Sequence, residues 1–190
     1  DSFEAPHPGV LTGAALTDVR ITLTNGRAHE KHTEGGDFRQ AVCRAIRQGL
    51  EQAESLLLEP YYAFTLALPL ACVGHALSDL QRRHARFDAP QPQNDRCLIT
   101  GRGPAACLMD YAADVAAYSK GEGALMLRFD GYDLCHNPEA VIQASGYDRR
   151  ADSRHPSSSV FCSHGAGYSV PWDEVASHLH CQRRPLLAES

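Results

Sequence analysis

A chain of 190 residues and 20.7 kDa, 43% hydrophobic and 22% charged, can bury a core and lacks the composition of a disordered segment. No apolar run reaches the roughly 18–20 residues a membrane helix needs. With 18 basic and 23 acidic residues the net charge is −5. That excludes a uniformly basic nucleic-acid binder, but not local RNA contact, which follows clustered charge rather than the sum. Seven cysteines, an odd number without a CxxC pair, read as reduced thiols of a cytosolic protein. The opening Asp1-Ser2-Phe3 has neither an initiator Met nor a leader pattern, as expected of a piece of a longer protein.

The first segment, 1–55, alternates Val19, Ile21 and Leu23 with Arg20, Thr22 and Thr24, which predicts a strand with one buried face, and Asn25-Gly26 supplies a turn. After Gly35-Gly36, steps of three and four through Phe38, Ala41, Val42, Ala45, Ile46, Leu50 and Ala53 predict an amphipathic helix. One strand and one helix cannot close a core alone, so this segment reads as the later half of a domain.

The second segment, 56–134, reads as a complete small domain. Tyr62, Phe64, Leu66 and Leu68 mark a strand, and Leu70, Val73, Leu77 and Leu80 a helix. Phe87 sits on a second strand before the loop Ala89-Pro90-Gln91-Pro92, and Cys97 to Gly101 form a third. Pro104 opens a helix with the face Leu108, Met109, Ala112, Val115 and Ala116, and Leu125, Leu127 and Phe129 a last strand. This βαββαβ order predicts a ferredoxin-like α+β unit with both helices on one face of an antiparallel sheet. The third segment, 135–190, is a looser C-terminal extension. In it Asn137-Pro138-Glu139 and Pro171 to Val175 each start a helix, with turn-rich residues between.

Candidate chemistry is sparse. Cys162, His164, His178, His180 and Cys181 could bind zinc if they met in space, though their spacing matches no common structural site. Gly101-Arg102-Gly103 and Gly165-Ala166-Gly167 form neither a Walker A nor a full GxGxxG pattern and read as tight turns. Ser163-His164, or Cys43 with a histidine, is indistinguishable from chance as a nucleophile and base, so no hydrolase is read here. The loop 27–33 places Arg27, His29, Lys31 and His32 within six residues beyond a strand end, a pattern suited to phosphate contact.

The spacing of several motifs resembles elongation factor G. Leu57-Leu58-Glu59-Pro60, Pro69, Gly74 and Asp79-Leu80 are similar to the start of its domain V. Pro104-Ala105-Ala106, Tyr111, Asp114, Gly121-x-Gly123 and Phe129-Asp130-Gly131-Tyr132 follow the same pattern, and Asp18 to Leu23, Gly26 and His29 resemble the later half of domain IV. Thr33-Glu34-Gly35-Gly36-Asp37-Phe38-Arg39 looks closest to the tetracycline-resistance ribosomal protection group. Ala85 stands where the family usually has glycine, and costs on the order of 1 kcal/mol if positive φ is required there.

The resemblance implies an α+β chain: a partial domain IV with a ribosomal-protein-like β-α unit, a ferredoxin-like domain V, and the extension. It implies a ribosome-binding part of a translational GTPase, cytoplasmic, not an enzyme in itself. Its GTP and Mg would be bound outside these residues, with no cofactor and no metal within them. The implied partner is the ribosome, with Arg27, His29, Lys31 and His32 touching rRNA or tRNA; membrane and DNA are not partners. The competing expectation is a stand-alone ferredoxin-like binding module with the Cys/His metal site in its tail.

Overall fold

The computed structural model describes residues 2–26, 28 and 33–179. The chain divides into two compact units, Asp1–Ser55 with Ala140–Ser190, and Leu56–Glu139. From Ala140 onward the tail therefore shares a unit with the first 55 residues.

In the first unit the predicted helix is α1, Gly35–Gln52. The strand predicted over 19–24 does not form. Residues 19–26 join no ladder among the described residues, and Val19, Ile21 and Leu23 are 51, 37 and 67% exposed. A strand is stabilised by a hydrogen-bonded neighbour, and none pairs with it among the described residues. With the apolar stripe of α1 these side chains line an open groove of about 880 Å³. The apolar core of this unit is small: Val10, Ile46 and Leu50, with Leu16 and Val42 packed against it.

The tail contributes α5 (Pro138–Ser145, which starts in the second unit), a hairpin of β6 (Ser159–Ser163) and β7 (Ala166–Val170), and α6 (Val175–His178). The hairpin was not predicted. Its two-residue turn has His164 at φ 52° and Gly165 at φ 82°, the pair of positive values whose twist matches the flanking strands.

The second unit is a mixed α/β fold on an antiparallel sheet, as expected. It is built from β1 (Leu58–Pro69), a 3₁₀ turn (Leu70–Cys72), α2 (Val73–Arg82), β2 (Arg86–Phe87), β3 (Gln91–Gln93), β4 (Arg96–Pro104), α3 (Ala105–Leu108), α4 (Tyr111–Tyr118) and β5 (Ala124–Leu134). The strand order is β2-β4-β1-β5, with β3 also on the free edge of β4. The second strand is thus in two pieces, and the Pro-rich loop ends in a short strand, with Pro92 at the sheet edge where it can be tolerated.

Alternation on β1 sends Phe64, Leu66 and Leu68 to the helical face, where Leu66 is flanked by Ile99 and Leu125. Ala76, Leu80, Leu108, Tyr111 and Val115 close the core from the helices. The predicted face of the second helix needs correcting: Met109 is 68% exposed and Ala112 is exposed, while Tyr111 is buried. The helix breaks at Met109-Asp110, and the break turns Tyr111 inward.

Gly101 and Gly103 are not turn residues either, since neither has positive φ. A Cβ on Gly101 would lie 2.3 Å from the Arg86 carbonyl oxygen, so this glycine lets β2 approach β4. The left-handed residue after α2 is His84 (φ 56°) instead of Ala85. The Ala85 N–H donates to the Leu80 carbonyl and the His84 N–H to that of Gln81, a Schellman closure with a non-glycine at its strained position.

Candidate functional site

Arg27, His29, Lys31 and His32 lie outside the described residues. The structure describes the segments on either side. Before the loop, the Gly26 N–H donates to Asn25 Oδ1 at 2.8 Å. After it, the Glu34 N–H donates to Asp37 Oδ2 at 2.9 Å, which ties the first turn of α1, and the acid suits the positive end of the helix.

The far half of α1 is anchored by a polar network that sequence reasoning missed. Arg47 and Glu51 are both buried, one helical turn apart. The Arg47 guanidinium donates to the Pro8 carbonyl at 3.1 Å, the Tyr147 hydroxyl at 2.9 Å and the Ser157 hydroxyl at 3.3 Å. Ser157 passes its own proton toward Glu51 Oε1, while Glu51 Oε2 lies 3.1 Å from Arg149 without an aligned hydrogen bond. Tyr147 donates in turn to Asp152 Oδ2 at 2.9 Å.

Burial alone would raise the Asp152 carboxyl. Hydrogen bonds from the His155 N–H, the Tyr147 hydroxyl, the His155 ring and the Arg154 N–H outweigh it and hold the group at about 2. Arg44 adds bonds to the carbonyls of Pro156 and Ser158.

Among the described residues Cys162, His164 and His178 form no metal-compatible group, and His178 lies against the rings of Phe161 and Tyr168 at 5.6 and 6.0 Å. His180 and Cys181 lie outside the described residues.

The second unit instead gathers chemistry at one end of its sheet. The Cys135 N–H donates to the Leu57 carbonyl at 2.9 Å, which carries His136 beside the start of β1. There Glu59 Oε1 takes both the His136 backbone N–H and its ring Nδ1, each at 2.7 Å. Cys107 Sγ on α3 is 3.5 Å from His136 Nε2, and the His84 ring stacks on the His136 ring at 4.7 Å. Burial, with the Glu59 charge behind it, pushes the Cys107 thiol up, so it rests protonated and is no thiolate nucleophile. These residues lie 29 and 77 positions from His136 in sequence, and no spacing rule connects them.

Two arginines of this unit, Arg83 and Arg102, are held in ion pairs. Arg83 bridges Asp110 (2.9 Å) and Asp114 and covers the Tyr111 ring at 4.6 Å. Arg102 covers the Tyr61 ring at 4.7 Å and pairs with Asp130 (2.9 Å) and Asp133 (2.6 Å). The register shift between Pro60 and Tyr62 lies opposite this end of β5, where Gly131 takes positive φ between the two acids.

The second unit is a small antiparallel α/β fold of ferredoxin-like order, and α1 precedes it in the chain. Its family is given by two adjoining matches. Residues 3–54 match the family model "Elongation factor G, domain IV", and residues 56–141 match "Elongation factor G C-terminus". The chain is elongation-factor-G-like, with counterparts of these two C-terminal domains. It is 33% identical over 135 residues to "Elongation factor G 2" of Streptomyces coelicolor, a match that covers 71% of this chain and 19% of that protein. A crystal structure of a Thermus thermophilus protein is similar with a TM-score of 0.66 and 27% identity, over 77% of this chain and 23% of the other. The chain thus spans about a fifth of the length of the relatives it matches. No helix among the described residues is long and apolar enough to cross a membrane.

Proposed function

We propose that this chain is the ribosome-facing C-terminal part of a cytoplasmic translational GTPase whose GTP and Mg are bound elsewhere in the parent protein. The observation that carries this reading is the uninterrupted succession of the domain IV and C-terminal matches over residues 3–54 and 56–141. Arg27, His29, Lys31 and His32 are the residues of the loop that contact rRNA or tRNA, because clustered donors suit backbone phosphates. The finer reading is a tetracycline-resistance ribosomal protection protein, supported by the run Thr33 to Arg39 at the return of the loop.

The test is ribosome-stimulated GTP hydrolysis by the full-length gene product, with and without tetracycline on the ribosome. Stimulation with drug release is the expected result. Stimulation without release overturns protection in favour of a translocase, and no ribosome dependence overturns the translational reading. Replacing the four loop cations by Gln should weaken ribosome binding and lower its salt slope by about one for each lost phosphate contact. An unchanged slope overturns the loop assignment alone.

A further inference from the structure

The described segment before the cationic loop ends in Asn25-Gly26, a dipeptide to which the ribosomal reading gives no chemical role. Both residues are exposed, and neither belongs to a helix or to a ladder among the described residues. The Gly26 nitrogen lies 2.8 Å from Asn25 Oδ1, beside the side-chain carbonyl of the residue before it. A Cβ built on Gly26 would meet nothing within 4 Å, so no neighbour hinders the approach of that nitrogen. Glycine also leaves the backbone free to turn the nitrogen toward the carbonyl carbon.

The chain has two other asparagines, and neither offers this geometry. Asn137 precedes Pro138, whose nitrogen carries no proton to lose. Asn94 sits at φ 57° in the turn between Gln93 and Arg96, which pair across the ladder, and Asp95 after it carries a side chain.

We propose that Asn25-Gly26 is a site of spontaneous deamidation, which introduces a carboxylate at the entry to the loop 27–33. The Gly26 N–H gives its proton to hydroxide, and the nitrogen electron pair forms a bond to Asn25 Cγ. The bond from Cγ to the side-chain amide nitrogen breaks, and that nitrogen takes a proton from water and leaves as ammonia. Water then opens the succinimide ring at either carbonyl, giving aspartate or isoaspartate. Water is consumed, ammonia is released and nothing is oxidised. The product carries a negative charge two residues before Arg27, and isoaspartate also adds a methylene to the main chain. The effect on function rests on the reading that the loop cations contact rRNA or tRNA: the new charge opposes the phosphates and weakens ribosome binding.

Purified protein held in mildly alkaline buffer made with heavy-oxygen water should take up label at residue 25 in the peptide map, faster as pH rises. Asn94 and Asn137 should stay unlabelled. Gly26→Ala, which the open space and the absence of a positive φ allow, should slow the uptake severalfold. No label at residue 25, or equal labelling of Asn94, overturns the site. The full-length gene product carrying Asn25→Asp should bind ribosomes about two- to fivefold more weakly, the weight of an exposed charge pair. Unchanged binding by Asn25→Asp, where Gln in place of the four loop cations does weaken it, overturns the effect on function. Where the four-cation variant also binds unchanged, the loop reading itself fails and the effect on binding falls with it.

Discussion

The two units are held together by different physics. The second buries ten side chains in one core, from Phe64 on β1 to Val115 on α4, all but Cys97 and Tyr111 purely hydrocarbon. Among its described residues the first has only a three-residue apolar cluster, with Val170 and Val175 buried outside it, and a buried arginine–glutamate pair with Ser157, Tyr147 and Asp152 around it. An apolar core draws on non-directional burial and degrades gradually. A buried polar network depends on every partner being present, because a charge left alone in low dielectric is worse than none.

The largest effect should therefore come from the first unit. Arg47→Ala removes one of the two arginines beside Glu51, Arg149 remaining, and takes the guanidinium donor from the Pro8 carbonyl and the Tyr147 and Ser157 hydroxyls, at a cost of about 3–5 kcal/mol. Trp172, the sole tryptophan, belongs to this unit and reports its unfolding by fluorescence. The double variant Arg47→Met, Glu51→Leu should recover most of the loss; if it is no more stable than Arg47→Ala, the unit is not held by this network.

Next is Leu66→Ala, which opens a cavity between Ile99 and Leu125 and should cost the second unit about 2–4 kcal/mol. Hydrogen exchange should accelerate across β1, β4 and β5. Equal acceleration throughout the first unit would break the comparison by making the two units one cooperative whole.

The smallest effect is acid sensitivity. Asp152 titrates at about 2 when folded, below the usual carboxylate value near 3.9. A depressed folded value stabilises above the unfolded value and is lost as pH falls through the folded one, so this contribution should decline between about pH 4 and pH 2. Asp152→Asn should flatten that part of the Trp172 unfolding profile, and an unchanged profile would remove Asp152 from the account.

Much of the second unit was legible because its elements obey simple periods. Alternation placed Phe64, Leu66 and Leu68 on one face of β1, and three-and-four spacing placed Leu80 inward on α2. The same reasoning failed where a long-range event intervened. The break at Met109-Asp110 exchanged Met109 and Ala112 for Tyr111, whose buried hydroxyl meets that of Tyr118 at 3.2 Å. The alternation of Val19, Ile21 and Leu23 is a genuine pattern, but no neighbour among the described residues converts it into a ladder. In α1 the apolar stripe was visible and the buried pair Arg47 and Glu51 was not, because charged residues are expected outside.

What the sequence by itself determined is the order of elements, the sidedness of the regular ones and the spacing that carries the family. These follow from local sterics and periodicity, which act over a few residues. Tertiary structure alone decided which charges are buried together, that Tyr147 and Ser157 serve a helix 100 and 110 residues earlier, and that Cys107, His136 and Glu59 share one corner. Such meetings depend on how the elements pack across the chain, and no local rule encodes the position of a partner so far away.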